Sequence, residues 1–316
     1  MSKKRLAAVT VLIVTVASIA AVAAVTATAK PSTTQSTVKL GFITKFPVDF
    51  FFTLQNGAKT WQKSHPNVKI SFAQGKAATD DAGEIAAIQD LVAKGVKGIA
   101  ITPTSPAVIP ALNKAVKAGV KVVLMDNDLP TWKKKSSVVA TNNLKGGTLA
   151  GKFLAGKLKA GDTLGILQGV PGVPALDDRV NGMLAGLGTL KSQIKVVSKL
   201  ETDCDQTKGA AAAQTMLTAN PNLTAIYAAC GPPALGAIQS IKNAGIKPSD
   251  IILVGFDGGA DEVAAIKAGT EAASVAQHPS KIGSLGVATL YAAVQGKKVL
   301  AKVDTGTTLI TPANAK

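Results

Sequence analysis

The run Val122-Val123-Leu124-Met125-Asp126-Asn127-Asp128 decides how the rest of the chain is read: a short apolar, β-type segment that stops abruptly in carboxylates and an amide. It reads as a buried strand delivering polar groups to a cleft. Ile251-Ile252-Leu253-Val254-Gly255-Phe256-Asp257 has the same form, an apolar strand ending in an acid beside an aromatic residue, with Gly258-Gly259 behind it. In open α/β sheets, ligands bind outside the carboxyl ends of the strands. Two such ends far apart in sequence predict two half-sites, one per lobe, facing each other across a ligand. The competing reading of either acid alone is a cap for the next helix or turn.

A chain of 316 residues, 47% of them apolar, suits two domains better than one, because single cores usually stop growing below that size. The first segment is set apart from the fold. Lys3-Lys4-Arg5 forms a basic start, Leu6 to Val25 is apolar apart from Thr and Ser, and Ala27-Thr28-Ala29 supplies a small-x-small cleavage pattern. Residues 1–29 are therefore expected to be an export signal peptide, with an uncleaved membrane anchor as the alternative. No cysteine stands near the cleavage point to carry a lipid, and no later run is long enough to span a bilayer. The mature protein is expected outside the cytoplasm, in the periplasm or the extracytoplasmic cell envelope.

The formal net charge is +16; cleavage would remove three of the 35 basic residues and none of the 19 acids, leaving +13. Such a charge could favour nucleic acid or an anionic envelope surface. The lysines, however, are scattered through most predicted helices rather than gathered into a stripe. The lone cluster, Lys133-Lys134-Lys135, is expected on a solvated loop. No nucleic-acid partner is expected.

Residues 30–37 read as a flexible tether. From Val38 onward, short apolar runs alternate with helical patterns, the signature of βαβ units and a parallel sheet. Strands are predicted at Lys39–Thr44, Val68–Phe72, Ile99–Thr102, Val122–Met125, Val138–Ala140, Thr163–Leu167, Ile194–Leu200, Ala225–Ala228, Ile251–Phe256 and Ala273–Ala276. One intervening helix shows the logic: Ser105-Pro106 gives an N-cap with proline at the first helical position, and Gly119 stops it. The same stop recurs at Gly95, Gly245 and Gly269, each a residue that can take the left-handed conformation past a helix end. The segment Leu129–Asn143 breaks the repeat midway, which fits two doubly wound lobes better than one closed barrel.

At this point the residues carry a resemblance. The pieces are Gly41-Phe42-Ile43-Thr44 with Asp49-Phe50-Phe51 and Asn56-Gly57-Ala58; Ile101-Thr102-Pro103-Thr104; Met125-Asp126-Asn127-Asp128; Thr141-Asn142-Asn143 with Gly146-Gly147; Leu167-Gln168-Gly169 with Arg179; Ala234-Leu235-Gly236-Ala237; Val254-Gly255-Phe256-Asp257-Gly258; and Ala276-Gln277. In this order, from about Val38 to Leu309, they resemble the ribose-binding-type periplasmic sugar-binding proteins, the substrate receptors of ABC transporters. The resemblance implies two Rossmann-like α/β lobes joined by a three-segment hinge, with the ligand in the inter-lobe cleft. The lobes would be residues 38–141 plus 278–303 and residues 142–277 plus 304–316. Crossings would fall near Ala140–Asn143, Gln277–Pro279 and Val303–Gly306.

The ligand-binding set so implied is Thr44, Asp49, Phe50, Phe51, Asp126, Asn127, Asn143, Arg179, Phe256, Asp257 and Gln277. Phe50 and Phe51 would stack on a sugar face, while Asp126, Asn143, Arg179, Asp257 and Gln277 would bond its hydroxyls. The chemistry agrees independently, because a monosaccharide has apolar C–H faces and a polar equator. Within Phe50-Phe51-Phe52, Phe52 is expected in the core. Arg179 could instead be a surface helix residue, and Gln277 only a hinge residue.

Some residues depart from the ribose pattern. Asn127 stands where an Arg is usual, Asp49 where a proline precedes the aromatic pair, Cys204 at a usually aromatic place and Cys230 at a usual Asn. These departures leave pentoses, hexoses, deoxy sugars and polyols open. The implied function is a non-catalytic solute receptor delivering such a ligand to ABC permease membrane subunits, working as a monomer and needing no cofactor. The alternative is an exported α/β enzyme using Asp126 and Asp257 as an acid–base pair. For it the sequence offers no G-x-S-x-G elbow, Walker A loop or His–acid metal cluster. A repressor sensor domain would need a helix-turn-helix where the leader stands.

Cys204 and Cys230 are the two cysteines, and an oxidising compartment favours a bridge between them. Each follows a predicted strand, and one helix joins those strands, so the strands are expected to be sheet neighbours within bridging reach. Buried free thiols, a reactive thiol, or half a zinc shell are the alternatives.

Overall fold

The computed structural model describes residues 36–316; the predicted leader and nearly all of the tether lie outside the described residues. The first lobe is laid down as β1 (Val38–Thr44), α1 (Asp49–Lys63), β2 (Val68–Gln74), α2 (Asp81–Ala93), β3 (Gly98–Ile101), α3 (Ile109–Lys117), β4 (Lys121–Met125) and β5 (Ser137–Ala140). The second follows as α4 (Asn143–Ala155), β6 (Thr163–Gln168), α5 (Pro174–Gly186), β7 (Lys195–Glu201), α6 (Gln206–Ala219), β8 (Ala225–Ala228), α7 (Gly231–Asn243), β9 (Ile252–Asp257), α8 (Ala260–Lys267) and β10 (Ala273–Ala276). The chain then returns through α9 (Pro279–Val294) and β11 (Lys302–Asp304) to the first lobe, and ends with β12 (Thr308–Ile310) in the second.

Two six-stranded sheets result, ordered β11-β5-β4-β3-β1-β2 and β12-β10-β9-β8-β6-β7. Within each, the first strand of the lobe lies between the second and third, so the strand order reverses beside β1 and beside β6. Such a switch point opens a crevice at the carboxyl ends of the strands. The two short strands β11 and β12 were not expected. The first pairs parallel with β5 and the second antiparallel with β10, closing one edge of each sheet. The chain passes between sheets at residues 141–142, 277–278 and 305–307.

The strand assignments follow from burial. Val122, Val123, Leu124 and Met125 have no exposed surface, and Leu253, Val254 and Phe256 have essentially none, as expected of parallel strands covered on both faces. Leu54, Ile282 and Leu290 from α1 and α9 pack on one face of the first sheet; Ile88, Leu91 and Leu112 from α2 and α3 pack on the other. The second sheet is covered likewise by α4 and α5 on one side and α6 and α7 on the other. Gly95, Gly119, Gly245 and Gly269 take φ of 74°, 84°, 70° and 72°. A Cβ at any of them would meet open space, so conformation, and not crowding, selects glycine there.

Two local expectations are corrected. Ser105 does cap the turn that follows, accepting from the Ala107 N–H at 3.1 Å, but Pro106–Val108 is a 3-10 turn and the α-helix begins at Ile109. In the lysine cluster, Lys133 and Lys134 are exposed, whereas Lys135 is tied down. Its Nζ lies 2.7 Å from Asp128 Oδ1 and donates to the Leu129 and Trp132 carbonyls, bracing the break between β4 and β5. Among the described residues no helix is long and apolar enough to cross a membrane.

Candidate ligand-binding site

The carboxyl ends of both sheets line a shared cleft of about 850 Å³, within the size range of small-molecule sites. From the first lobe come Lys45 after β1, the start of α1, and Asp126 with Asn127 after β4; from the second come Arg179 of α5, Asp257 at the end of β9, Gln277 after β10, and both cysteines.

Arg179 organises the second lobe's half. Its side chain is 4% exposed, and its guanidinium lies 4.0 Å from the centroid of the Phe256 ring. Its Nε donates to Asn143 Oδ1 at 2.9 Å, and its Nη1 donates to the Ala229 carbonyl at 2.8 Å and to Asp257 Oδ1 at 3.2 Å. Asp257 also accepts from Gln277 Nε2 at 2.7 Å and, through Oδ2, from the Gly231 N–H at 3.0 Å. A buried charge is tolerable when paired and bonded in this way.

Close helix packing holds Arg179 in place. A Cβ on Gly147 of α4 would lie 2.1 Å from the Arg179 carbonyl oxygen, so only glycine allows α4 and α5 this approach. In the adjoining Asn142-Asn143 pair, Asn142 Oδ1 caps α4 by accepting from the Lys145 N–H, leaving Asn143 free to hold the guanidinium.

The first lobe presents Asp126, 8% exposed, with φ of 62°, and Asp257 across the cleft has φ of 108°. A non-glycine residue in this region is strained, and at both positions it turns a carboxylate out of the strand direction. Asp126 Oδ1 is buried with no hydrogen-bond partner, as is Gln277 Oε1. Burial pushes the Asp126 carboxyl above its ordinary range, opposed by the charges of Arg179 and Lys45.

Of the sequence-predicted residues, Asp49, Phe50, Phe51, Asp126, Asn127, Arg179, Asp257 and Gln277 line the cleft, whereas Thr44, Asn143 and Phe256 do not. Thr44 is fully buried and accepts from Gln55 Nε2. Asn143 and Phe256 lie behind the site, holding Arg179 from its edge and its face. Asn127 Nδ2 points back to the Pro103 carbonyl at 3.3 Å. The expectation for the Phe triplet is reversed: Phe51 is the core member, 4% exposed, while Phe52 is 43% exposed and lines the cleft. Phe51 packs edge-on against Phe46 and Phe50, each ring centroid 5.2 Å away.

Cys204 and Cys230 form a disulfide, their Cα atoms 5.5 Å apart, but the expected strand adjacency is wrong. Strand β6 lies between β7 and β8. The bridge forms because Asp203 and Cys204 take φ of 51° and 55°, carrying the chain back over the end of β6. There Gly169 leaves room: a Cβ on it would lie 2.8 Å from Cys204 Sγ and 3.3 Å from Cys230 Sγ.

Sequence reasoning missed Lys45 and the Glu262/Glu271 pair. Lys45 is the first residue past β1, the same strand-end position that singled out Asp126 and Asp257. Glu262 lies behind Asp257, accepting from Ser274 Oγ at 2.7 Å and from the Gly259 N–H at 3.0 Å. Burial raises both carboxyls of the pair, and the negative charge beside each, Asp257 for Glu262 and Glu262 for Glu271, raises them further, so the pair retains a proton at neutral pH.

Two α/β lobes with facing half-sites, a buried charged network on one and an unpaired buried carboxylate on the other, define a solute-binding protein. Comparison with known proteins agrees. The periplasmic binding protein domain matches residues 40–298. Ribose import binding protein RbsB of Bacillus subtilis is 35% identical over 252 residues, covering 79% of each chain. The D-ribose/D-allose-binding protein of Pseudomonas aeruginosa is 31% identical, again over 79% of each. An ABC transporter solute binding protein from Burkholderia graminis, solved in complex with D-arabinose, superposes with a TM-score of 0.83 at 28% identity, covering 89% of this chain and 97% of that one. The chain belongs to the ribose-binding-type periplasmic sugar-binding proteins, and it is a binding protein, not an enzyme.

Proposed function

We propose that this protein captures a neutral monosaccharide or small polyol between its lobes and delivers it to the membrane subunits of an ABC permease, acting as an exported monomer. The observation that carries this reading is the set of polar groups facing the cleft. The Arg179–Asp257–Gln277 network stands on one side, and Asp126 Oδ1, buried without a donor, stands on the other. Polyhydroxylated ligands supply both the donors and the acceptors that such a set requires. The half-buried Phe50 edge and the exposed Phe52 offer apolar surface for the C–H faces of a ring. The disulfide on the cleft wall narrows the second lobe's side and favours a small ligand. The ligands of relatives, ribose, allose and arabinose, point to the same class. The lobes we take to be residues 38–141 with 278–304 and 142–277 with 305–316, Asp304 staying with β11 in the first sheet, turning about the three passages between the sheets.

Thermal-shift screening of the purified protein against pentoses, hexoses, deoxy sugars and polyols tests the reading, since a ligand at 100 times its Kd adds about 2.7 kcal/mol. Calorimetry on the hits should show one site per chain with the ligand recovered unchanged. Failure of every neutral sugar and polyol to shift the transition would refute it.

A further inference from the structure

Lys45 is a charge that the fold leaves unmatched. It is 6% exposed at the end of β1, beside the crevice where the strand order reverses, and it lines the cleft. The ion pairs among the described residues are Asp90–Lys94, Asp128–Lys135, Asp257–Arg179 and Asp203–Lys208; Lys45 is in none of them, and its ammonium makes no hydrogen bond within those residues. The attractive charges that act on it most strongly are those of Asp126 and Glu84. Glu84 accepts from the Thr104 N–H at 2.7 Å and the Thr104 hydroxyl at 2.6 Å through Oε2; its Oε1 has no partner, but Glu84 does not line the cleft, whereas Asp126 does. A largely buried lysine whose ammonium has no bonded partner is costly to keep.

Two residues that line the same cleft each carry a buried acceptor with no donor, Asp126 Oδ1 and Gln277 Oε1. An unused donor and unused acceptors lining one cleft describe the partner that is missing: an oxygen that accepts from Lys45 and carries a hydrogen to give to Asp126. A hydroxyl group does both, whereas a carboxylate would accept from Lys45 but face the Asp126 charge.

We propose that Lys45 is a direct ligand contact and specificity-determining residue, donating from its ammonium to a ligand hydroxyl that in turn donates to Asp126, so that the site selects neutral polyhydroxy compounds over sugar acids. The proposal rests on the sugar-binding reading above. It adds the residue that reads one hydroxyl and the charge rule that follows. Lys45 and Arg179 match Asp126 and Asp257 one for one, and the other charges lining the cleft, Lys76 against Asp49, Asp205 and Asp261, leave the rest of it acidic, so an anionic ligand would meet uncompensated acids.

The test uses the best neutral ligand from the sugar and polyol screen, its monodeoxy analogues, and its uronic or aldonic acid. These are titrated by calorimetry into the wild type and into Lys45→Met, which keeps the apolar stem and removes the charge. A hydrogen bond to a charged group sets the expected loss at about 10- to 100-fold in Kd. Lys45→Met should show that loss with the parent ligand while no longer discriminating the one deoxy analogue that the wild type rejects. Without ligand it should melt at or above the wild-type temperature, since it sheds an unpaired buried charge; a purely structural lysine would lower it. The acid should bind the wild type at least about tenfold more weakly than the neutral parent. Should Lys45→Met fold poorly, Lys45→Arg, which keeps charge and displaces the donor, should shift which deoxy analogue is rejected. A Lys45→Met Kd within threefold of wild type, or an acid that binds more tightly than its neutral parent, overturns this assignment alone. A wild type that binds no neutral sugar or polyol overturns the sugar reading and this assignment with it.

Discussion

Replacing Asp257 by alanine should cost stability as well as affinity. The carboxylate accepts from Arg179 at 3.2 Å, Gln277 at 2.7 Å and the Gly231 N–H at 3.0 Å, and it is the carboxylate within ion-pairing distance of Arg179. Breaking a buried pair by removing one member costs about 3–5 kcal/mol, because the other charge stays buried. Arg179 would keep its bonds to Asn143 and the Ala229 carbonyl, and cleft water can reach the vacated side, which places Asp257→Ala near the lower end, about 3 kcal/mol. Because φ at Asp257 is 108°, alanine inherits the backbone strain, so Asp257→Gly should be less damaging by about 1 kcal/mol. Urea unfolding of wild type, Asp257→Ala, Arg179→Met and the double variant closes the cycle. The double variant should fall short of the summed single losses by about 1–3 kcal/mol, since once the acid is gone the charge it balanced is better removed. Ligand Kd should rise about 100-fold in Asp257→Ala, the equivalent of the same 3 kcal/mol. A stability loss under about 1 kcal/mol with additive single effects would refute the view that this pair holds the second lobe's half of the site together.

Reducing the Cys204–Cys230 bridge, whose cysteines are 26 residues apart, should lower stability by about 3.5 kcal/mol on the chain-entropy account; calorimetric scans with and without reductant measure it, and unchanged scans would remove the bridge from the stability argument. Phe51→Ala should cost about 3–5 kcal/mol and Phe52→Ala less than about 0.5, read from denaturant midpoints, because only the first ring is in the core; equal effects would contradict the burial pattern. Burial pushes the Glu84 carboxyl up to about 7 from an ordinary 4.5, despite its bonds from Thr104. The folded state therefore holds a proton that the unfolded chain releases, so this contribution, about 3 kcal/mol, is fully present below about pH 4.5 and is lost as pH rises to about 7. Urea midpoints between pH 5 and 8 should fall more steeply for wild type than for Glu84→Gln, and parallel curves would reject the shift.

What the sequence made legible was whatever a short window encodes. An apolar run ended by an acid marked both Asp126 and Asp257, and glycine after a helix marked four chain reversals that all proved left-handed. Neighbour relations in a sheet are not local. The spacing of Cys204 and Cys230 is the same whether β7 and β8 adjoin or, as found, flank β6, because a right-handed crossover can skip a strand position at no cost in chain length. Lys302-Val303-Asp304 and Thr308-Leu309-Ile310 escaped as strands because three residues carry no periodicity, and the edges of finished sheets select them. The Phe triplet was misread because α1 begins at Asp49, which fixes the helical phase that turns Phe51 inward. Lys45 was legible by the strand-end rule but carries a charge that the sugar-receptor pattern did not call for.

The passages between lobes are bound to one another and to the site. The Thr305 N–H donates to the Ala140 carbonyl at 3.0 Å, Thr307 Oγ1 to the Ala276 carbonyl at 2.8 Å, and Lys281 Nζ to the Thr305 carbonyl at 3.2 Å. Gln277 lies in one passage, and Asn143, which holds Arg179, directly follows another. A change in lobe angle would therefore act on the residues proposed to hold the ligand, and the ligand would act back on the angle. To move an open–closed ratio from 1:99 to 99:1, a ligand must favour the closed form by about 5.5 kcal/mol. On the proposal that a ligand docks first on the second lobe's network, that network contributes little to the difference, and contacts with the first lobe, formed on closure, would supply it. Two charge-assisted hydrogen bonds, to Asp126 and from Lys45, at about 1.5–3 kcal/mol each, would supply about 3–6 kcal/mol, which reaches the required size only at its upper end. On the proposed function, the expected division of labour is that Arg179 and Asp257 set how tightly the ligand first docks, while Asp126 and Lys45 set whether docking closes the protein.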